Sequence, residues 1–310
     1  MSSPSKALVL GANGQDGSYL CEILCARGYA VLAIGRQPQP RWPVDNVGYR
    51  YQACDITDLG ALTALLRETA PDIVYHFAAI HGPAGFDYEA VWPQAHFVNT
   101  LSAHAVLDYI RTENPACGLV YASSSKVFGA PMPAMVDEDS PRLSTCIYST
   151  TKNAAQGLIG YYRARHGVAA SSLYLFNHES PRREAGFFIP RVAAALAAAR
   201  AGQKTQLHTL DFTADWGDAR EYMDIAADVG EQGLGEDYIL ATGTTWNAGE
   251  MVDAFFRRHG LNAADHIETA TSGSLPPAST ASIVRLRERL GRVPERSVLD
   301  VLDDMQRTTP

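Results

Sequence analysis

An apolar run, Lys6-Ala7-Leu8-Val9-Leu10, stops at Gly11-Ala12-Asn13-Gly14-Gln15-Asp16-Gly17 and passes directly into helical periodicity from Ser18 to Arg27. No other stretch restricts the fold as strongly. A short strand with no alternating polar residues is buried on both faces, as strands of parallel sheets are. Glycines at a spacing of three let the chain turn sharply into a helix and let an anionic group approach the helix amides. Further strands read at Ala30 to Ile34, Arg50 to Ala53, Asp72 to Ala79, Leu119 to Ala122 and Ala169 to Phe176. Helices read at Leu59 to Thr69, at Phe97 to Arg111, and from Tyr148 through Lys152 to Arg165. This alternation predicts an α/β fold, a Rossmann-type doubly wound parallel sheet.

After Phe176 the pattern loosens, with helices at Val192 to Ala201, Met251 to His259 and Val298 to Met305, and a strand at Asp237 to Ala241. We expect residues 1–176 to form an NAD(P)-binding domain and residues 177–310 a smaller C-terminal substrate-binding lobe. Some segments of the lobe return to the first domain. Thr271 to Thr280, rich in Ser and Pro, reads as a surface loop. The 26 basic and 34 acidic residues, net -8, leave no basic footprint for nucleic acid. Five cysteines, an odd number set mostly in apolar segments, read as reduced thiols and not as a disulfide framework. No run is long enough to span a membrane, Met1 to Lys6 lacks a secretory pattern, and no ligand cluster suggests a metal. A cytoplasmic protein is expected.

Two motifs carry chemistry. The glycine loop and the strand ends supply the expected cofactor contacts: Gly11, Asn13, Gly14, Gln15, Asp16 and Gly17; then Arg36; Asp55 and Ile56; and Phe77, Ala78 and Ala79. The second strand ends in Gly35-Arg36-Gln37 with no acid to hold a ribose 2′-hydroxyl, so NADP is expected over NAD. Asp55 is either an acceptor for the adenine amino group or a turn residue. The second motif is Tyr148-Ser149-Thr150-Thr151-Lys152, downstream of Ser123-Ser124-Ser125. A tyrosine and a lysine four apart share one helix face, where the ammonium makes the phenol a usable acid/base. Ser124 completes the triad by bonding the substrate oxygen, with Ser125 beside it for substrate binding. Hydride chemistry on an alcohol or ketone follows, with Tyr148 and Lys152 also touching the cofactor.

Four longer blocks resemble one family: Gly14 to Leu20, Leu175-Phe176-Asn177-His178-Glu179-Ser180-Pro181-Arg182-Arg183, Asp215-Trp216-Gly217-Asp218-Ala219-Arg220-Glu221-Tyr222, and Asp237 to Gly243. They are similar to GDP-mannose 4,6-dehydratases, extended short-chain dehydrogenases that modify sugar nucleotides. The resemblance implies that Tyr148 exchanges the 4-hydroxyl proton, Lys152 holds the nicotinamide ribose and Ser124 orients the 4-oxygen. It also implies cofactor contacts at His178 and Arg183, and diphosphate contacts from Asn177 and Arg220. A structural role tying a loop to the sheet is the alternative for His178 and Glu179. The implied substrate is a nucleotide-diphosphate sugar, a GDP-hexose by family, and the implied assembly a homo-oligomer.

The chain departs from that pattern at telling places. Where the dehydratases carry a glutamate that removes the carbon-5 proton, this chain has Lys126. A lysine serves as a base only once deprotonated. His81 stands where the family has serine, and is either a replacement acid/base or a plain loop histidine. Ala214 and Leu275-Pro276 replace arginines of the nucleotide site. A 4,6-dehydratase with an unusual base and an epimerase or 4-keto reductase using the same hydride machinery are therefore both expected readings. A non-catalytic binding protein is the third.

Overall fold

The computed structural model describes residues 5–232, 235–273 and 278–308. Leu275-Pro276 and the first four residues lie outside the described residues. The chain divides into two compact units. The first holds the chain up to Ala130, with Glu138–Leu175 and Tyr222–Ile239; the second holds Pro131–Asp137, Phe176–Glu221 and the chain from Leu240 onward.

The first unit is built on a seven-stranded sheet: β1 (Lys6–Leu10), β2 (Ala30–Gly35), β3 (Tyr49–Ala53), β4 (Ile73–His76), β5 (Gly118–Ala122), β6 (Ala170–Leu175) and β7 (Tyr238–Leu240). The order is β7-β6-β5-β4-β1-β2-β3. The pairings β1 with β2, β2 with β3, β1 with β4, β4 with β5 and β5 with β6 are all parallel. Strand order therefore reverses beside β1, which places the ligand crevice of such a sheet at its carboxyl ends. Four of the five residues of β1 are buried, and all of β4 and β6, as in a parallel sheet covered on both faces. Helices α1 (Gln15–Ala26), α2 (Leu59–Thr69), α3 (Ser102–Thr112) and α4 (Ile147–His166) cover the sheet. One core gathers Leu8, Leu10, Leu62, Leu66, Val106 and Ile159.

Polar contacts fasten the edge of this unit. Arg27, at the end of α1, reaches Asp224 at 2.5 Å, Asp228 at 2.7 Å and Glu231 at 3.0 Å on helix α5 (Ala219–Gln232). Asp237 accepts from Arg163 (2.8 Å), Gln156 (2.6 Å) and the Ser172 amide (3.2 Å). Helix α5 was not foreseen in the sequence, and it supplies both the acidic face for Arg27 and a close approach at Gly230.

The second unit pairs Asn177–Glu179 in parallel with Trp216–Asp218, and Thr213–Asp215 in antiparallel with Thr245–Asn247. Helices Phe188–Arg200, Ala248–Arg258 and Val298–Thr308 pack over a core of Val192, Leu196, Trp216, Phe255 and Leu302. Two of the sequence blocks singled out above, around His178 and around Trp216, are thus neighbouring strands. Among the described residues no helix is long and apolar enough to cross a membrane, and no cluster of side chains fits a metal ion.

Gly230 has no room for a side chain: a Cβ there would lie 2.1 Å from the Tyr75 hydroxyl and 2.5 Å from Ile73 Cδ1. Both partners belong to a closed core, so Gly230→Ala is expected to cost about 1–3 kcal/mol. A lowered urea midpoint at unchanged slope checks it.

Candidate active site

The cradle comes first from backbone geometry. Gly11 has φ of +92°, and an added Cβ would sit 2.5 Å from the Ala78 amide nitrogen. At Gly17 it would sit 2.4 Å from the Gly11 carbonyl. Only glycine lets β1, the turn and the end of β4 close up so tightly. Gly14 is the exposed N-cap of α1 and has no side-chain cap, and the N-terminus of a helix is an end that favours an anionic diphosphate. These residues fit a dinucleotide. The Asn13 side chain is committed elsewhere: it donates to Gln37 (2.8 Å) and Tyr51 (3.0 Å) and accepts from the Arg41 amide (2.8 Å). It holds the segment after β2 in place and leaves Arg36 exposed beyond it.

Asp55 turns out to organise its own turn. Its Oδ1 accepts from the Thr57 amide at 3.0 Å and hydroxyl at 2.8 Å, and these bonds, aided by the Arg36 charge, hold its carboxyl below the usual range. Ile56 and Phe77 are buried, and Ala79 is exposed.

The Tyr148–Lys152 pair stands at the start of α4. Cys146 caps that helix: its sulfur accepts from the Ser149 amide at 3.5 Å, while Ser149 Oγ takes the Cys146 amide at 3.0 Å. Tyr148 follows in the first turn and is buried. Lys152, one turn on, is buried too, and its Nζ donates to the Ala122 carbonyl at 2.7 Å. The ammonium lies 4.6 Å from the Tyr121 ring centroid and 5.8 Å from that of Tyr148. Burial pulls the Lys152 pKa down to about 7, with the Asp16 charge opposing. Ala122 ends β5, so that one bond ties the helix bearing Tyr148 to the strand bearing Ser124.

Ser124 is half-buried and caps the short turn Ser125–Phe128, accepting from the Lys126 amide at 3.2 Å. Ser125 is buried; Lys126 is exposed. His81 is exposed, and its ring centroid is 4.6 Å from that of Tyr148. The structure therefore brings His81 to Tyr148, which sequence distance alone did not require.

Asn99 was missed. It lies in a π-helical turn, Phe97–Leu101, inside what reads as one regular helix. Its Oδ1 accepts from the Ile80 amide (3.0 Å), its Nδ2 donates to Thr151 Oγ1 (3.0 Å), and its carbonyl accepts from the Tyr121 hydroxyl (2.5 Å). One residue thus joins three segments: its side chain links those that carry His81 and Tyr148, and its backbone carbonyl the strand before Ser124. Such turns often mark functional sites, but their periodicity does not announce them.

The remaining candidates belong to the second unit. His178 is buried, with Nδ1 donating to the Phe176 carbonyl at 2.7 Å, and Arg183 lies over the Phe187 ring at 3.6 Å and 3.5 Å from Glu179. Asn177 is exposed. Arg220 is gripped by fully buried Asp218, at 2.7 Å, and by Asp304, which also binds Arg296. Burial works against the Asp304 carboxylate, yet Arg220, Arg296 and Arg307 hold its pKa at about 2. About a third of the Arg220 side chain stays exposed.

Comparison with known proteins places this geometry. The family profile for GDP-mannose 4,6 dehydratase matches residues 8–303. A GDP-mannose 4,6-dehydratase of Vibrio cholerae is 30% identical over 298 residues, covering 88% of this chain and 79% of that protein. One from Sordaria araneosa is 32% identical over 82% of this chain, which spans about half of that relative's length (48%). Among solved structures, a putative epimerase from Burkholderia cenocepacia superposes with a TM-score of 0.85 at 22% identity, covering 99% of this chain and 98% of its own. A dTDP-glucose 4,6-dehydratase from Bacillus anthracis in complex with NAD gives 0.82 at 17% identity, covering 98% and 97%.

The buried ammonium supplies a direct test. Lys152 binds a proton in the unfolded chain up to its ordinary value of 10.5, but in the folded chain only up to about 7. Stability therefore rises between those limits, and below about 7 the folded chain bears the full cost of a buried charge. Lys152→Met is expected to be more stable than the wild type at pH 6, with the gain fading towards pH 10. Urea titrations at both pH values check this.

Proposed function

The chain belongs to the GDP-mannose 4,6-dehydratase family, and on that footing we propose that it is a nicotinamide-dependent enzyme modifying a nucleotide-linked hexose at carbon 4. The observation that carries this reading is the single bond from Lys152 Nζ to Ala122 O at 2.7 Å. It holds the acid/base tyrosine, its lysine and the serine-bearing strand end as one unit. A bound nicotinamide supplies the hydride acceptor and donor. The chain's own residues do the rest. Tyr148 takes the proton of the 4-hydroxyl as the carbonyl forms and returns one when it is reduced. Lys152, with its pKa near 7, moves protons readily at physiological pH and stands where it lowers the charge cost of a tyrosinate. Ser124 orients the 4-oxygen.

Gly11, Gly14 and Gly17 with the α1 amides cradle the diphosphate of the cofactor. Arg36 favours NADP, because it is exposed past the end of β2 and no acid stands between Gly35 and Gln39. Asp55, engaged by Thr57 through Oδ1, keeps Oδ2 for the adenine amino group. His178 and Arg183 are proposed to contact the cofactor, and Asn177 and the exposed part of Arg220 the sugar-nucleotide diphosphate. The substrate class is a nucleotide-diphosphate hexose, GDP-mannose first, and the product of the favoured reading is the 4-keto-6-deoxy sugar.

A second reading, epimerisation or 4-keto reduction without elimination, is favoured by one observation: the exposed ammonium of Lys126 follows Ser124 where elimination needs a base. A protonated lysine donates and does not accept.

Mass spectrometry of GDP-mannose incubated with protein and NADP in deuterated water separates the readings. Loss of water with one deuterium gained is the expected result, and deuterium without water loss marks epimerisation at a carbon beside the ketone. An unaltered mass with an unaltered sugar NMR spectrum rejects this substrate, whereas an unaltered mass with a changed spectrum marks epimerisation at carbon 4. Tyr148→Phe is expected to lower turnover by about 100-fold or more. For the cofactor, Arg36→Ala is expected to weaken NADP binding by about tenfold, one charge-assisted hydrogen bond, and to leave NAD binding unchanged. Fluorescence titration with both nucleotides checks that; equal losses sink the 2′-phosphate assignment.

A further inference from the structure

The loop after β4 is folded around one hydroxyl. Phe86 packs over Gly82, where an added Cβ would lie 2.2 Å from the ring, and meets Tyr88 edge-on with centroids 4.8 Å apart. Tyr88 turns back so that its phenolic oxygen is 2.7 Å from His81 Nδ1, 3.3 Å from the Gly82 amide nitrogen and 3.4 Å from the Gly82 carbonyl. The imidazole and the Tyr88 ring both lie against Tyr148, at centroid distances of 4.6 and 5.7 Å and tilts of 31° and 28°.

We propose that His81 is the catalytic acid/base for the proton on carbon 5, and that Tyr88 is the positioning residue that sets its tautomer. The proposal rests on the carbon-4 reading above. Once carbon 4 is a ketone, the neighbouring C–H is acidic, and carbon 5 is two bonds from the oxygen that Tyr148 serves. His81 Nε2 takes the carbon-5 proton. The electron pair of that C–H bond becomes the enolate double bond, and the negative charge falls on the 4-oxygen, where Tyr148 and Ser124 donate. In reverse, the imidazolium returns a proton to carbon 5 and the carbonyl re-forms. Because His81 is exposed, its proton exchanges with water between the two steps.

Tyr88 makes both directions possible. When His81 Nδ1–H donates to the phenol oxygen, the phenol proton turns to the Gly82 carbonyl and Nε2 offers a lone pair, the base form. Once Nε2 has taken the proton, the imidazolium still donates Nδ1–H to the phenol oxygen, and this is the acid form. Nδ1 keeps the same partner in both states, so the imidazole changes role without losing its bond. Lys126 is exposed, and a lysine offers a lone pair for the first step only once deprotonated.

The test bypasses hydride transfer. GDP- and dTDP-linked 4-keto-6-deoxyhexoses are incubated with the full chain in deuterated water, and deuterium entry at carbon 5 is followed by NMR. His81→Gln is expected to slow exchange by about 100-fold. Tyr88→Phe, which keeps the ring stack, is expected to slow it by about tenfold at saturating substrate with KM unchanged. Exchange by His81→Gln at the wild-type rate, or exchange lost only in Lys126→Met, overturns the assignment and leaves the carbon-4 reading standing. A wild-type chain that neither exchanges carbon 5 nor alters GDP-mannose overturns both.

Discussion

Everything in the first unit's site hangs on burying one ammonium. Removing Lys152 from water costs several kcal/mol. The carbonyl of Ala122 and the face of Tyr121 return part of it: a hydrogen bond to a charged group contributes about 1.5–3 kcal/mol, and a desolvated cation–π contact about 2. The deficit that remains is visible as a pKa near 7 instead of 10.5. That deficit is useful, since a lysine poised near neutrality exchanges protons with little driving force. The same burial raises the demand on its neighbours. His76, wholly enclosed beside it, is pushed down to about 3 by burial and then by the Lys152 charge, and stays neutral. Its Nε2 bonds Ser102 at 2.7 Å, and Ser102 in turn donates to the Val98 carbonyl.

From this centre the structure works outward through backbone approaches that only certain residues permit. Gly11 against Ala78 brings β1 and β4 together under the crevice, and the π turn at Asn99 binds the next segment of chain to α4. The loop bearing His81 is pinned at Ile80 by that same asparagine. A site built this way is stiff at the glycine cradle and around Lys152, and exposed at His81 and Lys126.

Regular elements of the first unit were legible because their signals are local. β1 spans Lys6–Leu10 and α2 spans Leu59–Thr69, the bounds that apolar run and periodicity predict. Here the hydrophobic pattern and the chain breakers coincide. The reading failed where the determining contact is distant. Phe97 to Arg111 looks like one helix, yet it is divided into a π turn and α3, because Asn99 must satisfy partners at Ile80 and Thr151 at once. Helix α5 was missed, since its polar face answers Arg27, about 200 residues away in the chain. In the second unit, strands of three residues such as Asn177–Glu179 are too short to show a period.

Sequence alone determined the kind of sheet, the glycine cradle and the Tyr148–Lys152 face, because each follows from steric rules or from spacing within one element. It also marked Lys126 as a departure from the family. Only tertiary structure decided what surrounds them. It showed that Lys152 is buried and Lys126 is not, that Arg220 is held by two carboxylates, and that Asp55 organises a turn. It also brought His81 and Tyr88 against Tyr148. The physical reason is the same in each case. Protonation state and hydrogen-bond availability depend on burial and on partners from distant segments, and neither is written in the local pattern of a chain.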